Sequence, residues 1–242
     1  VTLANVTATT NISGVATFAS LTMTAVTGNY TLRFSAPGLG SIDAPAATAL
    51  AAGPATQLAV ITQPSVSGAV ATALATQPVL QLRDVAGNPA PQANVVVTAT
   101  VVSGAVTISN ATATTNTSGL ATFSGLALSA TTGNYTLRFG ATGVSSVNAT
   151  AATALTVGPA AALSVTVQPA TTASVAVALT TQPSVQLRDA GGNAVSQAGV
   201  LVTATASGAT VSRSTAPSNA SGVAPFSGLA LSGPANVSYL LT

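Results

Sequence analysis

Apolar and polar residues alternate along this chain in short runs, and Gly, Pro, Asn and Asp clusters interrupt them every ~10–15 residues. Leu58, Val60 and Thr62 alternate up to the break at Gln63-Pro64. Leu80 and Leu82 fall on one face, Gln81 and Arg83 on the other. A turn is predicted over Asp84-Val85-Ala86-Gly87-Asn88-Pro89. Val95, Val97 and Ala99 then alternate against Val96, Thr98 and Thr100. Ala121 with Phe123, and Leu126 with Leu128 after a Ser124-Gly125 kink, form two short inward pairs. Tyr135, Leu137 and Phe139 mark an inward-facing strand, and Val144 to Val157 closes the pattern. β-Branched Val and Thr dominate and no 3.6-residue period persists, so helix is disfavoured.

The pattern repeats with a period of 105 residues. "NYTLRF" occurs at Asn29–Phe34 and at Asn134–Phe139, and "GPA" at Gly53–Ala55 and Gly158–Ala160. "TQP" followed by "QLRD" spans Thr76–Asp84 and again Thr181–Asp189. A third series, Ser13–Phe18, Ser118–Phe123 and Ser221–Phe226, has a second offset of 103, which places a two-residue deletion near Ser207–Val211. Repeats of this kind imply an array of similar units. The Gly-Pro-Ala junctions divide the chain into 1–53, 54–158 and 159–242. On this division 54–158 is a complete unit of about seven strands. Residues 1–53 are the C-terminal half of a unit, and 159–242 a unit lacking its last strand. The expectation is a window on a longer tandem array.

Composition narrows the chemistry. Of 242 residues, only 5 are Lys or Arg and 3 are Asp or Glu, about 3% against a usual ~25%. All five cations are arginines, and the chain has no Lys, Glu, His, Cys or Trp. The familiar zinc, haem and iron–sulfur ligand sets cannot be assembled without His or Cys. Most general bases and activated nucleophiles are missing as well. Asp43, Asp84 and Asp189 are too scattered for a calcium cage. We therefore expect no enzyme activity, no catalytic residues, no cofactor and no metal. A net charge of +2 with arginines tens of residues apart makes no basic stripe, so nucleic acid is not an expected partner. A mean hydropathy of +0.60 raises the question of a membrane span. Its most apolar stretch, Ala151 to Val167, is split by Gly158-Pro159, so no membrane span is expected in this segment.

Two features could carry function. The adjacent pairs Arg83-Asp84 and Arg188-Asp189 could form a repeated binding patch. The simpler reading is that each Asp caps its own turn. Asn-x-Ser/Thr sequons at Asn5, Asn11, Asn29, Asn110, Asn116, Asn134, Asn148, Asn219 and Asn236 are candidate glycosylation sites. Because 64 residues are Ser or Thr and the repeats copy their sites, composition alone explains much of that number.

The text from Leu80 to Thr100 and from Thr115 to Ala141 resembles bacterial Ig-like domains of the invasin and intimin type. It recurs at Val185–Thr205 and Ser218–Leu231, and its second half at Thr10–Met23. The resemblance implies an all-β fold of tandem Ig-like β-sandwich domains, about seven strands in Greek-key order, in a linear array. It implies a structural module of an extracellular filament or adhesin stalk at the cell surface, acting as a semi-rigid rod or spacer. The alternative is an adhesive module that recognises glycans or surface proteins through loops at the sandwich ends. The expected partners are neighbouring Ig-like domains of the same or identical chains. Lateral filament contacts and covalent glycans would cover strand edges that no Lys defends.

Overall fold

The computed structural model describes residues 1–242, and every regular element in it is a strand. The largest sheet has seven strands, all between Gln57 and Asn148. Its order is Thr112–Thr114, Val96–Val101, Leu137–Ala141, Val144–Asn148, Gln57–Thr62, Val79–Arg83 and Leu120–Thr122. Every neighbouring pair is antiparallel except one, where Ser145 meets Gln57 in a parallel pairing. A smaller sheet joins Gly133–Tyr135, Thr153–Thr156 and Ser67–Ala69, and Thr107–Ser109 pairs with Ala127–Ser129. The architecture is an Ig-like β-sandwich.

The elements are shorter and more numerous than the alternation suggests. Residues 54–158 hold twelve strands, several of three residues, rather than about seven. The closing stretch, Val144 to Val157, holds two strands. It breaks after Asn148, and its two parts, Val144–Asn148 and Thr153–Thr156, enter different sheets.

One core of 18 buried residues runs from Leu58 to Leu155, and Leu80, Leu82, Val97, Leu126, Leu128 and Leu137 are sealed in it. Phe123 and Phe139 meet at its centre, ring centroids 5.6 Å apart and tilted by 57°. A second core of six residues spans Leu179 to Leu229 and includes Phe226. No residue of 1–53 is buried, although Phe18 and Phe34 repeat the aromatic pair at 5.4 Å. Leu58 is 6% exposed and its equivalent Leu163 is 56% exposed. In the middle unit Ser145 pairs beside Gln57, and nothing pairs on that side of Ala162–Val167.

Polar residues of the repeated motifs staple the sheets. Gln81, on the face opposite Leu80 and Leu82, is buried, and its amide donates to the carbonyls of Leu82, Ser118 and Gly119 at 3.0–3.2 Å. Gln186 does the same for Leu187, Ser221 and Gly222. Gln77 and Gln182 each bridge two segments, accepting from the N–H of Leu126 and Leu229 at 2.9 Å. These amides satisfy backbone groups that would otherwise be buried unpaired.

Candidate functional site

The turn after each Arg-Asp pair does more than close on itself. Asp84 Oδ1 accepts from the N–H groups of Ala86 and Asn88, at 2.9 and 2.8 Å. Its Oδ2 accepts from Asn88 Nδ2 at 2.9 Å and from the N–H of Gly53, at the preceding Gly-Pro-Ala junction, at 3.0 Å. Asn88 then reaches back across 61–63 residues of sequence: its Oδ1 accepts from Thr27 N–H, and its Nδ2 donates to the Ala25 carbonyl, both at 2.9 Å. One Asp-Asn pair thus grips the junction and a loop of the preceding segment together.

The same clasp recurs 105 residues later, on equivalent partners. Asp189 Oδ1 accepts from Gly191 and Asn193 N–H at 2.9 Å, and Oδ2 accepts from Gly158 N–H at 2.9 Å. Asn193 Oδ1 accepts from Thr132 N–H at 2.9 Å, and Nδ2 donates to the Ala130 carbonyl at 3.0 Å. A side-chain amide suits this task because it donates and accepts on one rigid plane, matching a backbone N–H and C=O.

The carboxylates are held by N–H donors, not by cations. The Asn88 amide and the N–H groups of Gly53, Asn88 and Ala86 lower the Asp84 carboxyl to about 2, against the opposing effect of burial. For Asp189 burial pushes the carboxyl up, but Gly158 N–H and the Asn193 groups outweigh it and leave it lowered. Hydrogen bonding to the charged form is the cause in both cases. The neighbouring arginines turn away: Arg83 Nη1 donates to the Gly87 carbonyl and Arg188 Nη1 to the Gly192 carbonyl. The Arg-Asp pairs therefore form no ion pair. Arg33 and Asp43 form the chain's salt bridge, and it is exposed, where such pairs contribute little.

The copies also differ in detail: Asn193 Nδ2 donates to both Asp189 oxygens at 3.0 Å, where Asn88 Nδ2 donates to Asp84 Oδ2 alone. Arg188 Nε donates to Ser164 Oγ at 2.8 Å, whereas Ala59 occupies the equivalent place and Arg83 Nε is buried without a partner. Gly191 packs so closely on the preceding segment that a Cβ there would lie 1.9 Å from the Ala130 oxygen, while the first clasp carries Ala86 at that position.

All nine sequon asparagines are exposed. Asn11, Asn116 and Asn219 cap tight turns through Oδ1. Asn5 and Asn110 sit at φ 58° and 53° and use Nδ2 to donate to the carbonyls of Ser20 and Gly125. Asn29, Asn134 and Asn148 lie on strands, and Asn236 at φ 61°. Asn88 and Asn193, which build the clasps, are not sequons. The alternation of residues did not point to them; the signal was their fixed place four residues after Asp in both copies.

A shallow depression of about 440 Å³ lies on a sheet face, not among the end loops, and is lined by Thr98, Thr100, Arg138, Gly140 and Ser146 among others. Arg138 is fixed there by Ser146 Oγ, at 3.0 Å from Nε and 2.7 Å from Nη2. No helix is long and apolar enough to cross a membrane.

Residues 45–161 match the family model described as SMCHD1 Ig-like domain 6, which covers the sandwich around the larger core. No curated protein matches. Among solved structures, the chain is similar to the D0-D1 domain of intimin, at 22% identity over 77% of this chain and 89% of that one, with a TM-score of 0.30. It is similar to FdeC, described as an Escherichia coli adhesin, at 20% identity over 85% of this chain and 66% of that one, TM-score 0.34. Domains 4–9 of the surface layer protein SbsC match at 16% identity over 89% of this chain and 35% of that one, TM-score 0.30. At these scores the solved structures serve only as points of comparison.

Proposed function

We propose that this Ig-like chain is a structural module of an extracellular filament or adhesin stalk, in which tandem units are held as a semi-rigid rod. The observation that carries this reading is the clasp, repeated with the same donors and acceptors at both junctions. A flexible tether needs no such device, since a polar linker alone would let units reorient. Two side-chain bonds to one loop and a third to the junction restrain rotation as well as separation. The placement outside the cell rests on the sequence resemblance to invasin- and intimin-type domains. The mechanism is geometric and assigns the chain no chemical step.

Small-angle scattering of the native chain and of an Asn88→Ala/Asn193→Ala double variant tests the proposal. The native chain should scatter as a stiff, elongated particle, and the variant should show a shorter and broader distance distribution. Indistinguishable profiles would refute it. A second reading, an adhesive module, is favoured by the fixed Arg138 in its Thr-lined depression. Binding on a glycan array that Arg138→Ala abolishes would support that reading.

Covalent glycans at the exposed sequons would fit an extracellular rod. An intact mass equal to that of the bare polypeptide from its native source would exclude them.

A further inference from the structure

We infer that the Arg138 face of the middle unit binds a carboxylate-bearing sugar, a uronic or sialic acid of a glycan, a function that rests on the adhesive reading, gives it a ligand class and is independent of the rod. The strand pair that carries Arg138 occurs in two copies. In residues 1–53, Arg33 stands directly across from Asp43, and the two meet as a fork, Nε to Oδ1 at 2.6 Å and Nη2 to Oδ2 at 2.9 Å. Arg138 is the equivalent arginine 105 residues on, and the residue directly across from it is Asn148. The guanidinium is kept and its carboxylate is gone. The other two carboxylates of the chain, Asp84 and Asp189, are held in the clasps.

Arg138 is nevertheless fixed. Ser146 Oγ accepts from its Nε and Nη2, which leaves Nη1 and the Ser146 hydroxyl proton to donate to a ligand. A second change opens room beside them. Gly140 pairs with Thr98, and a Cβ at Gly140 would lie 3.7 Å from the Ser146 Cβ, an ordinary contact. Its φ is not positive, so neither packing nor backbone demands glycine there. The first copy carries Ser35 at that position. Glycine inside a strand often marks a place where a ligand approaches closely. The missing side chain lies on the lining of the depression of about 440 Å³, within the ~300–1,000 Å³ of small-molecule sites.

The lining selects the ligand. A fixed arginine without a counter-ion favours a carboxylate, through charge-assisted hydrogen bonds. Thr98, Thr100 and Ser146 add hydroxyls, which donate and accept as sugar hydroxyls do. An acidic peptide gains less here. Val96–Val101, Leu137–Ala141 and Val144–Asn148 each have a neighbouring strand on both sides, so no edge is free to pair with a peptide main chain.

Titration of the full chain, followed by the amide NMR shifts of Gly140 and Ser146, tests this. The probes are glucuronic acid, N-acetylneuraminic acid, glucose, acetate and an oligoglutamate peptide. The chain is made unglycosylated, because Asn148 is itself a sequon. At least one acidic sugar should shift both amides saturably, glucose should not, and acetate should bind about tenfold more weakly or less. Asn148→Asp restores the carboxylate of the first copy and should weaken acidic-sugar binding by roughly 10- to 100-fold with Arg138 still present. Gly140→Ser should weaken it by refilling the depression, and the same spectra report whether each variant is folded. No saturable shift with either acidic sugar, equal binding of glucose or acetate, tighter binding of the peptide, or unchanged binding in a folded Asn148→Asp variant would overturn the inference. Neutral array glycans bound through Arg138 would overturn the ligand class alone and leave the adhesive reading standing, whereas an array with no glycan bound through Arg138 would overturn both.

Discussion

Replacing Asn193 by Ala removes the reach of the second clasp and leaves its anchor in place. Two bonds to the preceding segment are lost, Thr132 N–H to Oδ1 at 2.9 Å and Nδ2 to the Ala130 carbonyl at 3.0 Å. A typical intramolecular hydrogen bond contributes a net ~1 kcal/mol, so the clasp should lose about 2 kcal/mol. That raises its opening constant about 30-fold, since 1.4 kcal/mol is a factor of ten. The reporter is the amide of Gly158, whose acceptor, Asp189 Oδ2, stays in place although it loses the Asn193 Nδ2 donor at 3.0 Å. If the clasp opens as a unit, hydrogen exchange at Gly158 should quicken by about 30-fold in the variant. Gly53 and Thr27 in the intact first clasp provide an internal control and should not change. Unaltered exchange at Gly158 would show that the bonds act independently and that the Asp-Asn pair is no clasp.

Phe123→Ala should destabilise the middle unit by ~3–5 kcal/mol, because Phe139 faces it at 5.6 Å in a core with few large side chains to collapse into the space; an unchanged denaturation midpoint would contradict this. Ala59→Ser should stabilise by ~0.5–1.5 kcal/mol, giving buried Arg83 Nε the partner that Ser164 gives Arg188, and a lower urea midpoint would refute it. Acid should release the first clasp. The folded Asp84 value of about 2 lies below the ~3.9 of an unfolded Asp, so its contribution is complete above that value and lost as pH falls through the folded one. The Gly53 amide shift should titrate with a midpoint of about 2, and a midpoint near ~4 would mean the carboxylate is not gripped as described.

The sandwich was largely legible because its inward residues alternate: Val97 and Ala99 are buried between exposed Val96, Thr98 and Thr100, as the period of two requires. The burial of Gln81 was not legible, because alternation assigns it a face but not the three backbone carbonyls that its amide finds there. The Asp84 turn was legible from Asp and Gly-Asn at close spacing. The partners of Asn88 were not, because Thr27 and Ala25 lie more than sixty residues away and backbone acceptors carry no sequence signature. Strand ends were hard to place for a similar reason: Ala, Thr and Val continue across Asn148 and Thr153, and the switch between sheets is set by packing.

Near-absence of charge acquires a structural sense at the clasps. Two of the three carboxylates in the chain are used there, and both are saturated by N–H donors. Such contacts are less sensitive to salt than exposed ion pairs.

The most direct test of the central claim is a distance between successive units. Spin labels at Thr100→Cys and Thr203→Cys, both exposed positions in a cysteine-free chain, report it by pulsed dipolar spectroscopy. A clasped junction predicts one narrow distance that broadens when Asn193 is replaced by Ala. A broad distribution already present in the native chain would contradict the rod.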